Sequence, residues 1–170
     1  MYWTKKHVFV CTASHCMSKG ANDVVGRLRL DIVRKGLDAE IMINNCNTID
    51  LCDIGPNVII YPDNIIYRGV TVKDLPEIVE SLRNDTVVER LLVSADTPEE
   101  QARKAFYVDL LGAETPLTEG ELDTVAARHQ YDSAWLNEQM RRGFLARKTS
   151  KETGETSIQV TKKSRVRYSI

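Results

Sequence analysis

The chain has 170 residues, 42% hydrophobic and 28% charged, with a formal net charge of −1. That composition excludes a disordered chain, and the length is enough to bury a core in one ordinary domain or two small ones. No stretch approaches the roughly 20 apolar residues of a membrane span, and the opening M-Y-W-T-K-K-H-V-F-V lacks the apolar core of a secretory signal. The expected compartment is therefore the cytoplasm, with no membrane partner.

In chain order, residues 7–11 read as a short buried strand. Residues 20–35 place Val24, Val25, Leu28, Ile32 and Val33 near one face at helical spacing, with Asn22 or Asp23 to cap the start and Gly36 after a basic last turn. Residues 39–43 and 57–61 predict a second and third strand. Pro-Asp-Asn then turns the chain into a fourth at 65–67, a hairpin signal. Residues 72–82 predict a helix carrying Leu75, Ile78, Val79 and Leu82 in step, with Pro76 confined to its first turn. The order β-α-β, crossing segment, β-β-α is that of an α/β fold with a thioredoxin-like mixed sheet and flanking helices.

The pattern changes after Val93. Pro98 starts a helix that Gly112 ends, and Thr118 caps a second with Leu122, Val125 and Ala126 on one face. Asp132 or Ser133 caps a third, which Gly143 stops. Residues 144–149 and 156–163 then flank S-K-E-T-G-E as a basic hairpin. Three helices and a basic hairpin have the plan of a winged helix, so the expected division is 1–93 and 94–170, the second a small α+β winged-helix-like domain. Residues 94–130 are acidic and 131–170 basic, which suits a unit with its own partner.

All four cysteines, Cys11, Cys16, Cys46 and Cys52, lie in the first third of the chain. Structural disulfides are rare in a reducing compartment, so four thiols confined to one region point to a metal site. Neither C-x4-C nor C-x5-C has the C-x-x-C spacing of a dithiol oxidoreductase. Structural zinc usually uses pairs separated by two to four residues, which one pair here exceeds; zinc stays open. His15 is not needed as a ligand. A [2Fe–2S] cluster, which needs four thiolates on loops that wrap an elongated cofactor, fits best.

H-V-F-V-C-T-x4-C-x3-G-A, followed by N-C-N-T-I-D-L-C-D-I-G-P-N-V-I-I-Y-P-D-N-I-I-Y, resembles the thioredoxin-like [2Fe–2S] ferredoxins, the Shethna-type proteins related to the small cluster subunit of complex I. The resemblance covers about residues 5–92, and C-D-x-G-P-N-V-x-x-Y-P-D is its most specific part. It implies that all four cysteines ligate one [2Fe–2S] cluster, that the protein carries single electrons to a redox partner, and that it is a homodimer. It also suggests a setting in nitrogen fixation. The second pair departs from the family's C-x3-C, so the loop carrying Cys46 must bulge. Asp50 and Asp53 beside that pair should lower the reduction potential.

In the second half, the candidate recognition helix offers Asn137, Gln139, Arg141 and Arg142, and the hairpin and tail offer Arg147, Lys148, Lys162 and Lys163. These residue types contact bases, phosphates or an acidic protein. No Gly-rich nucleotide loop or nucleophile–base array suggests an enzyme. The leading expectation is an electron carrier with a module that docks it to an oxidoreductase. The alternative is a redox-responsive regulator whose cluster controls DNA or partner binding.

Overall fold

The computed structural model describes residues 4–113, 117–151 and 154–170. The chain divides into two compact units, Met1–Val93 and Ser94–Ile170.

In the first unit, β1 (Lys6–Cys11) and β2 (Ile41–Cys46) run parallel, while β3 (Val58–Tyr61) is antiparallel to β1 and β4 (Ile65–Tyr67) to β3. The sheet order is β2-β1-β3-β4. Two helices pack with it. The longer, α2 (Ala21–Arg34), follows a single turn, α1 (Ser14–Met17), and packs on β1 and β2; the other, α3 (Leu75–Asn84), packs on α2. Alternation along the strands puts Val8, Val10, Ile41, Ile43, Val58 and Ile60 in one core with Leu28, Ile32, Ile78 and Leu82. Each such side chain contributes about 1.5–3 kcal/mol on burial. His7, Phe9 and Tyr61 fall outside that core and form a row, with ring centroids 3.9 and 6.2 Å apart. Tyr61 is exposed and the other two are half-buried.

Two details differ from the sequence-based expectation. The second strand starts later than residue 39 and runs on through Asn44 and Asn45 to Cys46, because β1 offers a ladder partner as far as Cys11 and pairing overrides the poor strand propensity of asparagine. The third helix begins at Leu75 behind a 3-10 turn, Val72–Asp74, whose start carries a reciprocal Thr71–Asp74 cap.

In the second unit, Thr97 caps α4 (Pro98–Gly112), Thr118 and Glu121 form a capping box on α5 (Glu119–Arg128), and Asp132 caps α6 (Ser133–Arg141). Next, β5 (Leu145–Thr149) and β6 (Thr156–Val160) pair antiparallel, and Leu117 makes an isolated antiparallel bridge to Ile158. Of the predicted hairpin tip, residues 152 and 153 lie outside the described residues. The predicted hairpin strand and tail at 162–168 are instead a helix, α7 (Lys162–Tyr168). It lacks apolar periodicity and is held by tertiary contacts: Ser164 donates to the Phe144 carbonyl, and the Tyr168 ring stacks on Tyr107 at 5.1 Å. The core of this unit centres on Phe106, Tyr107, Leu122, Phe144 and Leu145. Among the described residues, no helix is long and apolar enough to cross a membrane.

Candidate metal centre

Cys11 is the last residue of β1, Cys46 is the last of β2, and the two are register partners. Register partners on neighbouring strands share a face, so both cysteines stand at one end of the sheet. Cys16 lies on α1, directly after β1, and Cys52 opens a 3-10 turn, Cys52–Ile54, directly before β3. The Sγ atoms of Cys11, Cys16 and Cys52 all lie within 4.8 Å of one another. Cys46 packs against the same small cluster, together with Ala13, Ile49 and Cys52. All four thiols are free, and the Cys11–Cys52 Sγ separation of 3.9 Å is well beyond the roughly 2.05 Å of a disulfide. Cys11 and Cys16 are fully buried, whereas Cys46 and Cys52 are half-buried.

The bulge expected of the wider second pair falls after Cys46, among the residues 47–50 that widen it. Cys46 is fixed in the ladder, and the slack is taken up at 47–51. There Asp50 adopts a left-handed φ of 62°, and its N–H donates to Thr48 Oγ1 at 2.9 Å. Thr48 Oγ1 also lies 3.8 Å from Cys52 Sγ.

Several groups hold the two halves in place. Thr12 donates to the Cys46 carbonyl from both its N–H (2.8 Å) and its hydroxyl (3.1 Å). Asn57, fully buried, accepts the Cys11 N–H on its backbone carbonyl at 2.9 Å and donates from Nδ2 to Leu51 O at 2.5 Å. It thus ties the end of β1 to the residue before Cys52. Gly55 leaves room for the sulfur: a Cβ there would fall 2.5 Å from Cys16 Sγ.

The electrostatics test what the site can hold. Burial pushes the Cys16 thiol up to about 12, and the adjacent Cys11 and Cys52 sulfurs push it the same way. Burial also raises Cys46 and Cys52; Cys11 adds to both, while Thr48 acts in the opposite direction. Crowded, buried sulfurs become thiolates together only when cations neutralise them. An all-thiolate donor set converging at one partly buried end of the sheet therefore fits an iron–sulfur cluster. His15, on the same turn as Cys16, is not among the converging ligand atoms.

Of the residues expected to form a contact surface in the second unit, one lies in the core and the rest reach the surface or its margin. Gln139 is buried, and its Oε1 accepts from Tyr107 Oη at 3.0 Å; it belongs to the core, not to a recognition face. The helix phase puts it there, one turn from Trp135, and polarity alone misplaced it. Arg141 and Arg142 both pair with Glu138, and Arg147 pairs with Glu119 at 2.5 Å. Lys163 stands 4.9 Å over the Phe144 ring, while Asn137, Lys148 and Lys162 are exposed. Thr12, Thr48, Gly55 and Asn57 join the site beyond the sequence-based expectation. The G-P-N run was the available signal for the last two.

No protein-family model matches the chain. Over 98 residues it is 36% identical to a protein named "Ferredoxin, 2Fe-2S" from Clostridium pasteurianum, covering 52% of this chain and 96% of that protein. A protein of the same name from Aquifex aeolicus is 32% identical over 103 residues, covering 55% of this chain and 93% of its own length. The crystal structure of the wild-type thioredoxin-like [2Fe-2S] ferredoxin from Aquifex aeolicus superposes with a TM-score of 0.51 at 32% identity, covering 54% of this chain and 98% of that one.

Proposed function

This chain belongs, through its first half, to the thioredoxin-like [2Fe–2S] ferredoxins, and on that premise we propose that Cys11, Cys16, Cys46 and Cys52 together hold one [2Fe–2S] cluster in a one-electron carrier. The observation that carries this reading is the convergence of three Sγ atoms within 4.8 Å, with the fourth cysteine packed against them. When bound, the cluster exchanges single electrons without making or breaking covalent bonds in a substrate. The chain's own residues bind and orient. Thr12 fixes the end of β2, Asn57 fixes β1 against the Cys52 turn, and Gly55 keeps space beside Cys16. The half-buried Cys46 and Cys52 mark the side nearer to solvent, where a redox partner would exchange electrons. The test is anaerobic purification of the full chain, with iron and acid-labile sulfide assayed alongside the visible spectrum. A colourless zinc protein would remove this reading.

For the second unit we infer a winged-helix-like module that docks the carrier to its oxidoreductase. The order of elements supports it: one helix, a strand-like bridge at Leu117, two further helices, a basic hairpin and a closing helix. Docking is favoured over DNA recognition because the α6 arginines are matched by Glu138 and Gln139 faces inward. DNA binding that is sequence-specific and differs between oxidised and reduced protein across a salt series would reverse that preference in favour of the regulator. A homodimer is the corresponding proposal for the His7–Phe9–Tyr61 face, tested by sedimentation of wild type against Phe9→Glu.

A further inference from the structure

We propose that Lys19 is a positioning residue for the cluster site, clasping the turn that carries Cys52 to the turn that carries Cys16 and setting a fixed positive charge at the edge of the thiolate set. This rests on the ferredoxin reading above. Lys19 follows α1, and its backbone N–H donates to the Cys16 carbonyl at 3.1 Å. Its ammonium crosses to the other half of the site, donating to Asp53 O at 2.9 Å and to Cys52 O at 3.4 Å. The side chain therefore bridges two ligand-bearing segments more than thirty residues apart in sequence, both directly adjoining cysteines.

The geometry explains why a clasp belongs there. The 47–51 stretch before Cys52 contains a left-handed residue and a side-chain turn, so it is less constrained than a strand. The carbonyls of a 3-10 turn carry partial negative charge, which an ammonium satisfies. Gly20, at φ 89°, then turns the chain away into α2 and leaves the lysine beside the turn it holds.

The charge has a separate consequence. One-electron reduction adds negative charge to the site, and a neighbouring ammonium stabilises the reduced form. Lys19 thus opposes Asp50 and Asp53, the two carboxylates beside Cys52. Because Lys19 is exposed, the effect is screened by salt.

The experiment compares wild type, Lys19→Met and Lys19→Arg as full-length holoproteins under anaerobic conditions. The reduction potential is read by redox titration of the visible spectrum at low and high salt, and cluster loss is read as the decay of that spectrum under a ferrous chelator. Lys19→Met is expected to shift the potential to more negative values, by more at low salt than at high, and to lose its cluster several-fold faster; Lys19→Arg is expected to match wild type. A Lys19→Met potential equal to that of wild type at low salt overturns the proposal. Wild type that carries zinc and no sulfide overturns the ferredoxin reading instead, and is recognised before any variant is titrated.

Discussion

Cys11 and Cys46 end neighbouring parallel strands in the same register, so the sheet itself sets half of the cysteine constellation. Their positions follow from the ladder, whereas Cys16 and Cys52 are brought in by single turns on either side. The register makes the two strand cysteines the rigid pair. Replacing either with serine should leave the fold intact and remove the stable [2Fe–2S] absorbance. Cys46→Ser is the more informative variant, because Cys46 Sγ is not one of the three that already converge. An unchanged spectrum in that variant would show that the fourth ligand lies elsewhere.

Gly55 is predicted to tolerate no side chain. A methyl group there meets Cys16 Sγ at 2.5 Å, and Asn57 Nδ2, itself bonded to Leu51, crowds it at 3.3 Å. Gly55→Ala should therefore lower iron content at least several-fold after anaerobic expression, while Gly26→Ala, with open space around it, should leave iron content unchanged.

Asp74 gives the first unit an acid-sensitive contact. Burial raises its pKa, but hydrogen bonds from the Thr71 hydroxyl and N–H, with Arg90 at 2.8 Å, outweigh burial and hold it below the usual carboxylate range. The folded pKa lies below the unfolded value, so the stabilisation is present above about pH 4 and disappears as pH falls through the folded pKa. Asp74→Ala should cost about 0.5–2 kcal/mol at neutral pH, the range of a lost cap, and the cost should shrink in acid. Denaturant melts across pH measure it; a cost independent of pH would contradict the assignment.

Phe106 is the packing centre of the second unit. Its ring meets His129, Tyr131 and Trp135 edge-on, the last at 5.0 Å. Phe106→Ala should destabilise this unit by about 3–5 kcal/mol. Trp135, stacked on Tyr131 at 3.7 Å, is a built-in fluorescence reporter for the denaturant melt.

Glu138 neutralises Arg141 and Arg142 together. If the basic end serves an acidic macromolecule, Glu138→Gln should raise affinity for generic duplex DNA by removing a carboxylate beside the exposed Arg141. Filter binding over a salt series reads this; unchanged affinity would mean that the α6 face does not meet phosphate.

Much of the sheet was legible because it is written in apolar alternation: Val8 and Val10, Ile41 and Ile43, Val58 and Ile60. The cysteines were legible as a set because reduced thiols confined to one region have few uses. What could not be read was whatever depended on tertiary partners. The strand through Asn44 and Asn45 exists because β1 pairs with it. The helix at 162–168 exists because Tyr168 finds Tyr107. Gln139 looked like a contact residue because polarity says nothing about helix phase, and Tyr107 Oη satisfies it in the core. Lys19 acts through hydrogen bonds to backbone carbonyls more than thirty residues along the chain, and such bonds leave no local pattern.

Whether the four cysteines hold one [2Fe–2S] cluster is decided by iron and acid-labile sulfide assays on anaerobically purified full-length protein. About two irons and two sulfides per chain are expected, with a visible spectrum that bleaches on reduction. One zinc per chain, with neither sulfide nor colour, would contradict the cluster assignment.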